Sequence, residues 1–90
     1  MDVEFDPVKD KENQKKHGLA FSSAAQFDFD SALIAEDTRR DYGEVRYQAL
    51  GDLQGKIALF VFTMRGPERL RVISLRPANR KERKLWQSGE

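Results

Sequence analysis

The chain contains no cysteine and a single histidine, His17. Without thiols there can be no disulfide, no thiolate zinc site and no cysteine nucleophile. One imidazole cannot build a multi-histidine metal cage. No apolar run approaches the ~20 residues that a membrane-spanning helix needs, and the opening residues MDVEFD are acidic where a secretory leader would be basic. These absences predict a soluble, cytoplasmic protein that needs no metal or cofactor. Ninety residues predict one domain, 1–90, with one core and one shallow cleft. There is no room for a nucleotide-binding domain beside a substrate domain.

Charge is plentiful, at 34% of residues, yet the net value is only +1. That near-neutrality hides an asymmetry. Residues 1–64 hold 8 basic and 12 acidic side chains. Residues 65–90 hold Arg65, Arg69, Arg71, Arg76, Arg80, Lys81, Arg83 and Lys84 against Glu68, Glu82 and Glu90. A basic stripe of this kind suits a polyanion, either nucleic acid or an acidic protein. It is also what a solvated charged face looks like.

Val3-Glu4-Phe5 alternates briefly and reads as a short edge strand. Asp6 is a good N-cap and Pro7 suits the first helical position, so a helix is expected over Pro7–His17, stopped by Gly18. Val8 is its one clear apolar residue; capping, not amphipathicity, argues for it. A second short helix follows Phe21, with serine from Ser22-Ser23 as N-cap and Ala24, Ala25, Gln26 and Phe27 within it. Residues 32–35 read as a strand, and 36–44 as a polar surface loop.

The rest is sheet-like. Val45 to Gly51 alternates, with Val45, Tyr47 and Ala49 on one face and Arg46, Gln48 and Leu50 on the other. Residues 52–55 supply a turn. Residues 56–64 (KIALFVFTM) are nearly all apolar and fit a central strand covered on both faces. Residues 65–68 form the next turn, and 69–76 (RLRVISLR) the next strand. Short turns imply antiparallel hairpins. After Pro77, Asn79 with Glu82 resembles a capping box, so a last helix is expected over about 79–87, pinned by Leu85 and Trp86. The fold class is therefore α+β: N-terminal helices, one antiparallel sheet of three to four strands, and a C-terminal helix.

Period-two alternation places Leu70, Val72, Ser74 and Arg76 on one face of the strand 69–76, opposite Arg69, Arg71, Ile73 and Leu75. Arg76 then lies just before the final helix, whose first turn offers Arg80. The two guanidinium groups are expected to converge near a helix N-terminus, where phosphate binds well. Arg46, with Gln48, could join that patch or form an ordinary cross-strand ion pair. On the first helix, Lys9, Asn13 and His17 share one face and Lys16 lies about 100° round. His17 is the one side chain that titrates near neutrality unaided, so it is a candidate acid or base; it could equally cap or pack the helix end.

Metal-free RNA cleavage needs a base for the 2′-hydroxyl, cations on the phosphate and an acid for the 5′-oxygen. Arginines supply the second function but stay protonated, so His17, Lys16, Glu44 or Tyr47 must supply the others. Phe60 and Phe62 belong to the core, so no aromatic stacking platform for RNA bases is evident.

Several segments now form a pattern. Phe5-Asp6-Pro7-x-Lys9-x-x-x-Asn13-x-x-Lys16-His17-Gly18, then Phe21-x-x-Ala24, resembles the opening signature of the BrnT toxins. Glu44-x-Arg46-Tyr47-x-Ala49-Leu50-Gly51, Val61-Phe62-Thr63 and Arg71-Val72-Ile73-Ser74-x-Arg76-x-Ala78-Asn79-Arg80-x-Glu82-Arg83 are similar to the rest of that pattern, in the same order. Leu19-Ala20 and Pro77 depart from it. The resemblance implies a type II ribonuclease toxin with a RelE-like fold that blocks translation. It also implies a BrnA-like ribbon-helix-helix antitoxin, DNA contact only through the joint complex, and a possible heterotetramer with two antitoxin chains. The site residues it implies are Lys16, His17, Arg46, Arg76 and Arg80. The competing readings are a non-catalytic nucleic-acid-binding module and a degenerate toxin that only docks an antitoxin.

Overall fold

The structure is a computed structural model that describes residues 2–89. In chain order it comprises β1 (Asp2–Glu4), α1 (Pro7–His17), a 3₁₀ helix (Phe21–Gln26), β2 (Leu33–Glu36), β3 (Tyr47–Leu53), β4 (Lys56–Met64), β5 (Arg69–Pro77) and α2 (Arg80–Ser88). The strands form one five-stranded sheet in the order β1-β5-β4-β3-β2. This corrects the expected antiparallel sheet of three to four strands. The sheet is mixed, because β1 runs parallel to β5, pairing Asp2, Val3 and Glu4 with Arg69, Leu70 and Arg71. The long connection that parallel pairing requires is everything between β1 and β5, from α1 through strands β2 to β4.

Local chemistry accounts for the element ends. The Asp6 carboxylate accepts from the Val8 amide at 2.9 Å, Pro7 opens α1, and Gly18 closes it at φ 73°. Asn79 and Glu82 form a reciprocal capping box on α2. The 3₁₀ helix departs from expectation: its cap position is Ala20, with no side-chain cap bond, and Ser22 and Ser23 lie inside it. Strand β3 is displaced, starting and ending two residues later than the expected 45–51. The β3–β4 connection is a tight turn at Gln54-Gly55, both at positive φ (52° and 89°), which matches the twist of the flanking strands.

The two sheet faces differ in kind. The aromatic face gathers Tyr47, Ala49 and Leu53 from β3, Ala58, Phe60 and Phe62 from β4, and Leu70, Val72 and Leu75 from β5. Phe21, Ala24 and Phe27 close over it. The fit is tight: a Cβ on Gly51 would stand 2.9 Å from the Phe27 ring. Helix α1 adds almost nothing apolar, since Val8 is 65% exposed. It docks through polar side chains. Asn13, its one buried residue, donates to the carbonyls of Leu19 and Leu75 at 2.8 Å each and accepts from the Leu75 amide at 3.4 Å. Asp10 accepts from the Phe21 amide at 2.7 Å. Asn13 thus pairs the stretch of β5 that β1 does not reach, satisfying backbone groups that burial would otherwise penalise.

The other face is only partly covered. Trp86 of α2, with Leu33 and Ile57, packs against the buried cluster of Leu50, Leu59 and Ala78, and Leu85, 57% exposed, borders the cavity beside it. Among the described residues no helix is long and apolar enough to cross a membrane.

Candidate active site

The half of the second face that α2 leaves uncovered carries arginine, and a single irregularity puts it there. Val61 pairs with Ser74, but Phe62 pairs with Val72, so Ile73 has no opposite residue. This β-bulge shifts the alternation by one. Directly opposed residues share a face, so Ser74 lies with Val61 and Gln48, and Arg76 with Leu59 and Leu50. Arg71, opposite Thr63, is on that same face. Strict alternation predicts Arg71 and Arg76 on opposite sides; the bulge brings them together. Continuing the alternation of β3 back from Gln48 adds Arg46.

Every one of these arginines holds a carboxylate. Arg76 forks onto Glu82 through two bonds of 2.8 and 2.7 Å and also donates to the Pro77 carbonyl at 3.2 Å. Arg71 donates to Glu4 at 2.8 Å. Arg46 donates through Nε to Glu44 at 3.1 Å, and its guanidinium sits 4.2 Å from the centre of the Tyr42 ring. Glu44 is shared with Arg65 at 3.6 Å. The Arg76 fork, with the Asn79 amide behind it, holds the Glu82 carboxyl below the usual glutamate range despite partial burial.

Lys16 and His17 lie in the last turn of α1 and border a groove with Lys9, Ile73 and Ser74. Ser74 belongs to both this groove and the arginine face, so the two meet there. Asn13 lines the groove as well, but its side chain is committed to backbone. Arg80 is exposed and makes no ion pair or side-chain hydrogen bond among the described residues. Positions 80 and 82 are roughly 200° apart round a helix, so Arg80 turns away from Arg76 when Glu82 faces it. Among the described residues the two guanidinium groups share no partner: Glu82 takes Arg76, and Arg80 holds no carboxylate. Tyr47 stacks on Phe62 on the aromatic face, at 5.5 Å between ring centres. Alternation therefore puts its ring on the opposite side of the sheet from Arg46. Among the described residues no three His, Asp or Glu side chains gather as metal ligands.

One part of the arginine face escaped the sequence reading. The 36–44 segment was expected to be solvated loop, yet Asp37 is buried. It accepts from Arg39 Nε and a terminal nitrogen at 2.8 Å each, from the Arg39 amide at 3.2 Å and from the Tyr42 hydroxyl at 3.1 Å. These donors hold its carboxyl far below the usual aspartate range against the opposing pull of burial. The Asp37 amide donates to the Arg46 carbonyl at 2.7 Å, which sets the carboxylate at the sheet corner. The Asp-x-Arg spacing was visible, but the burial that gives it meaning depends on β2–β3 pairing.

Comparison with known proteins assigns this architecture. Residues 5–82 match the family model described as ribonuclease toxin, BrnT, of type II toxin-antitoxin system. The crystal structure of the Brucella abortus ribonuclease toxin BrnT is similar, with a TM-score of 0.71 and 34% sequence identity. The alignment covers 89% of this chain and 99% of that one. No curated protein matches. A mixed sheet with a bulge-gathered arginine face, matched over most of its length to a ribonuclease toxin, belongs to the BrnT family of type II toxin–antitoxin systems.

Proposed function

We propose that this chain is a metal-independent endoribonuclease that arrests translation and is neutralised by a BrnA-like ribbon-helix-helix antitoxin. The observation that carries the reading is the Ile73 bulge. It turns Ser74 and Arg76 onto the face of Arg46 and Arg71, beside the groove bordered by Lys16 and His17.

In this mechanism the 2′-oxygen of the substrate attacks the adjacent phosphorus as its proton is removed. The bond from phosphorus to the 5′-oxygen breaks, and that oxygen takes a proton. The products are a 2′,3′-cyclic phosphate and a 5′-hydroxyl. Arg46 and Arg76 stabilise the charge that gathers on the non-bridging oxygens. Lys16 and His17 serve the proton transfers. Arg80 holds a neighbouring phosphate at the start of α2, where the helix dipole also favours an anion. Glu82 already grips Arg76, so the RNA phosphate must share or displace that carboxylate. The antitoxin is expected to cover the arginine face, to bring the toxin to DNA only as part of the complex, and to assemble with it as a heterotetramer.

Purified chain, free of antitoxin, should cleave RNA in EDTA and leave cyclic-phosphate ends. Cleavage that appears only when a divalent ion is restored would overturn the metal-independent mechanism. RNA binding without cleavage under any condition would leave a binding module instead.

A further inference from the structure

A pocket at the corner of the arginine face is walled by Arg39, Arg40 and Tyr42. Its chemistry is unusual for a surface loop. The Asp37 side chain is 1% exposed, while the Arg39 side chain it grips is 66% exposed. A wholly exposed pair of this kind would add little to stability, and burying the carboxylate costs desolvation. What the arrangement does is fix a guanidinium in place. Asp37 takes Nε and one terminal nitrogen of Arg39, and Gln48, with its amide oxygen turned toward Arg39, accepts from the same two nitrogens at 3.1 Å. The other terminal nitrogen has no hydrogen-bond partner among the described residues. Arg40 stands beside it, exposed. Tyr42 closes the pocket and is itself braced by the Arg46 guanidinium on its ring. Gln48 and Arg46 both belong to the arginine face, so the pocket continues that surface.

We propose that the Arg39–Arg40–Tyr42 pocket is a second phosphate-binding subsite, in which Asp37 presents Arg39 to a phosphate of single-stranded RNA next to the one that is cleaved. The inference rests on the ribonuclease reading. Two neighbouring guanidinium groups supply charge and forked donors for one phosphate, and a pre-fixed arginine loses less freedom when it binds. Continuity with Arg46 and Gln48 favours RNA over an acidic segment of the antitoxin.

The test measures binding apart from cleavage. A fluorescent single-stranded RNA oligonucleotide is titrated at 50 to 200 mM salt, with fluorescence anisotropy as readout and with cleavage blocked by a 2′-O-methyl backbone. Each lost phosphate contact on a single strand lowers the slope of log K against log salt by about 0.7. Arg40→Gln should lower it by about that amount, and Arg39→Gln and Arg39→Lys should both weaken binding several-fold. In turnover assays these variants should raise KM and leave kcat unchanged. Arg39→Gln may be replaced by Arg40→Gln as the deciding variant if circular dichroism reports unfolding, because the Arg40 side chain makes no ion pair among the described residues. Unchanged slope and affinity in the folded variants overturn the subsite while leaving cleavage intact. Unchanged RNA binding with weakened antitoxin binding overturns it in favour of a protein contact. Loss of cleavage in the unmodified chain would sink the ribonuclease reading and leave the binding result standing.

Discussion

The two faces of the sheet use opposite strategies. The aromatic face is built from Phe21, Phe27, Phe60 and Phe62, packed edge-on or tilted at 5.0–5.9 Å with Phe5 and Phe29 around them. The arginine face carries Arg46, Arg71 and Arg76, each tied to a carboxylate. The first arrangement excludes water and resists change in shape. The second holds charge in a half-open setting, where partners can be exchanged. The lesson is that one sheet can bury an aromatic core on one side and hold paired charge on the other, so substitutions on the two faces should fail in different ways.

The sharpest break in that comparison is Phe60→Ala. It removes a fully buried ring from the aromatic face and should cost about 3–5 kcal/mol in urea denaturation. A loss under 1 kcal/mol would mean the face is not the core. Next comes Arg76→Ala, which should lower kcat for RNA cleavage by about 10²–10³-fold, the usual loss for one charge-stabilising donor. Its urea midpoint should move little, because the Arg76–Glu82 pair is partly solvated. Parental turnover by this variant would remove Arg76 from the mechanism.

Asn13→Ala tests the polar docking of α1. Two carbonyls lose their donor, and the expected cost is about 1–3 kcal/mol. Amide hydrogen exchange at Leu75 should quicken at the same time. If both measurements match the parent, α1 is held by something other than Asn13.

The smallest expected effect belongs to Glu82→Gln. The Glu82 carboxyl titrates lower in the folded chain than in the unfolded one. Its contribution is thus fully present above the ordinary glutamate pKa and disappears as pH falls through the lowered value. The difference in Tm between parent and variant should accordingly be visible at pH 7 and shrink as the pH falls below the ordinary glutamate range. Because the substitution also loosens the hold on Arg76, RNA affinity at pH 7 should rise several-fold. A Tm gap that widens in acid, or weaker RNA binding, would contradict the arrangement.

How far the sequence could be read follows from the range of each interaction. Helix α1, the two long hairpins and the capping box of α2 were all legible, because caps, turn residues and apolar runs act over a few residues. Three-residue β1 was noticed as a strand, yet its parallel pairing with β5 was not, since nothing within Val3-Glu4-Phe5 specifies a partner 67 positions away. The same distance hid the role of Asn13: its spacing with Lys9 and His17 suggested a functional face, and its side chain instead completes the edge of β5.

The active-site reading shows a similar division. Arginine content and family pattern drew attention to Arg46 and Arg76, and both lie on one face. The reason they do so was misread, because period-two counting carries no warning of a bulge. Strict alternation therefore puts Ser74 and Arg76 with Leu70 and Val72, whereas the bulge turns them to the side of Arg71. Asp37 and Arg39 carry no such signal, because a polar loop looks the same in sequence whether its carboxylate is buried or wet.

By itself the sequence determined most of the elements, the caps of α1 and α2, the apolar strand at the centre and the family to which the chain belongs. Those depend on local backbone preferences and on the order of residues along the chain. Only the tertiary structure decided which arginines look the same way, which carboxylates hold them and which backbone edge Asn13 completes. Such choices depend on strand register and on a single extra residue at Ile73, and a one-residue shift in a strand reverses every side chain beyond it.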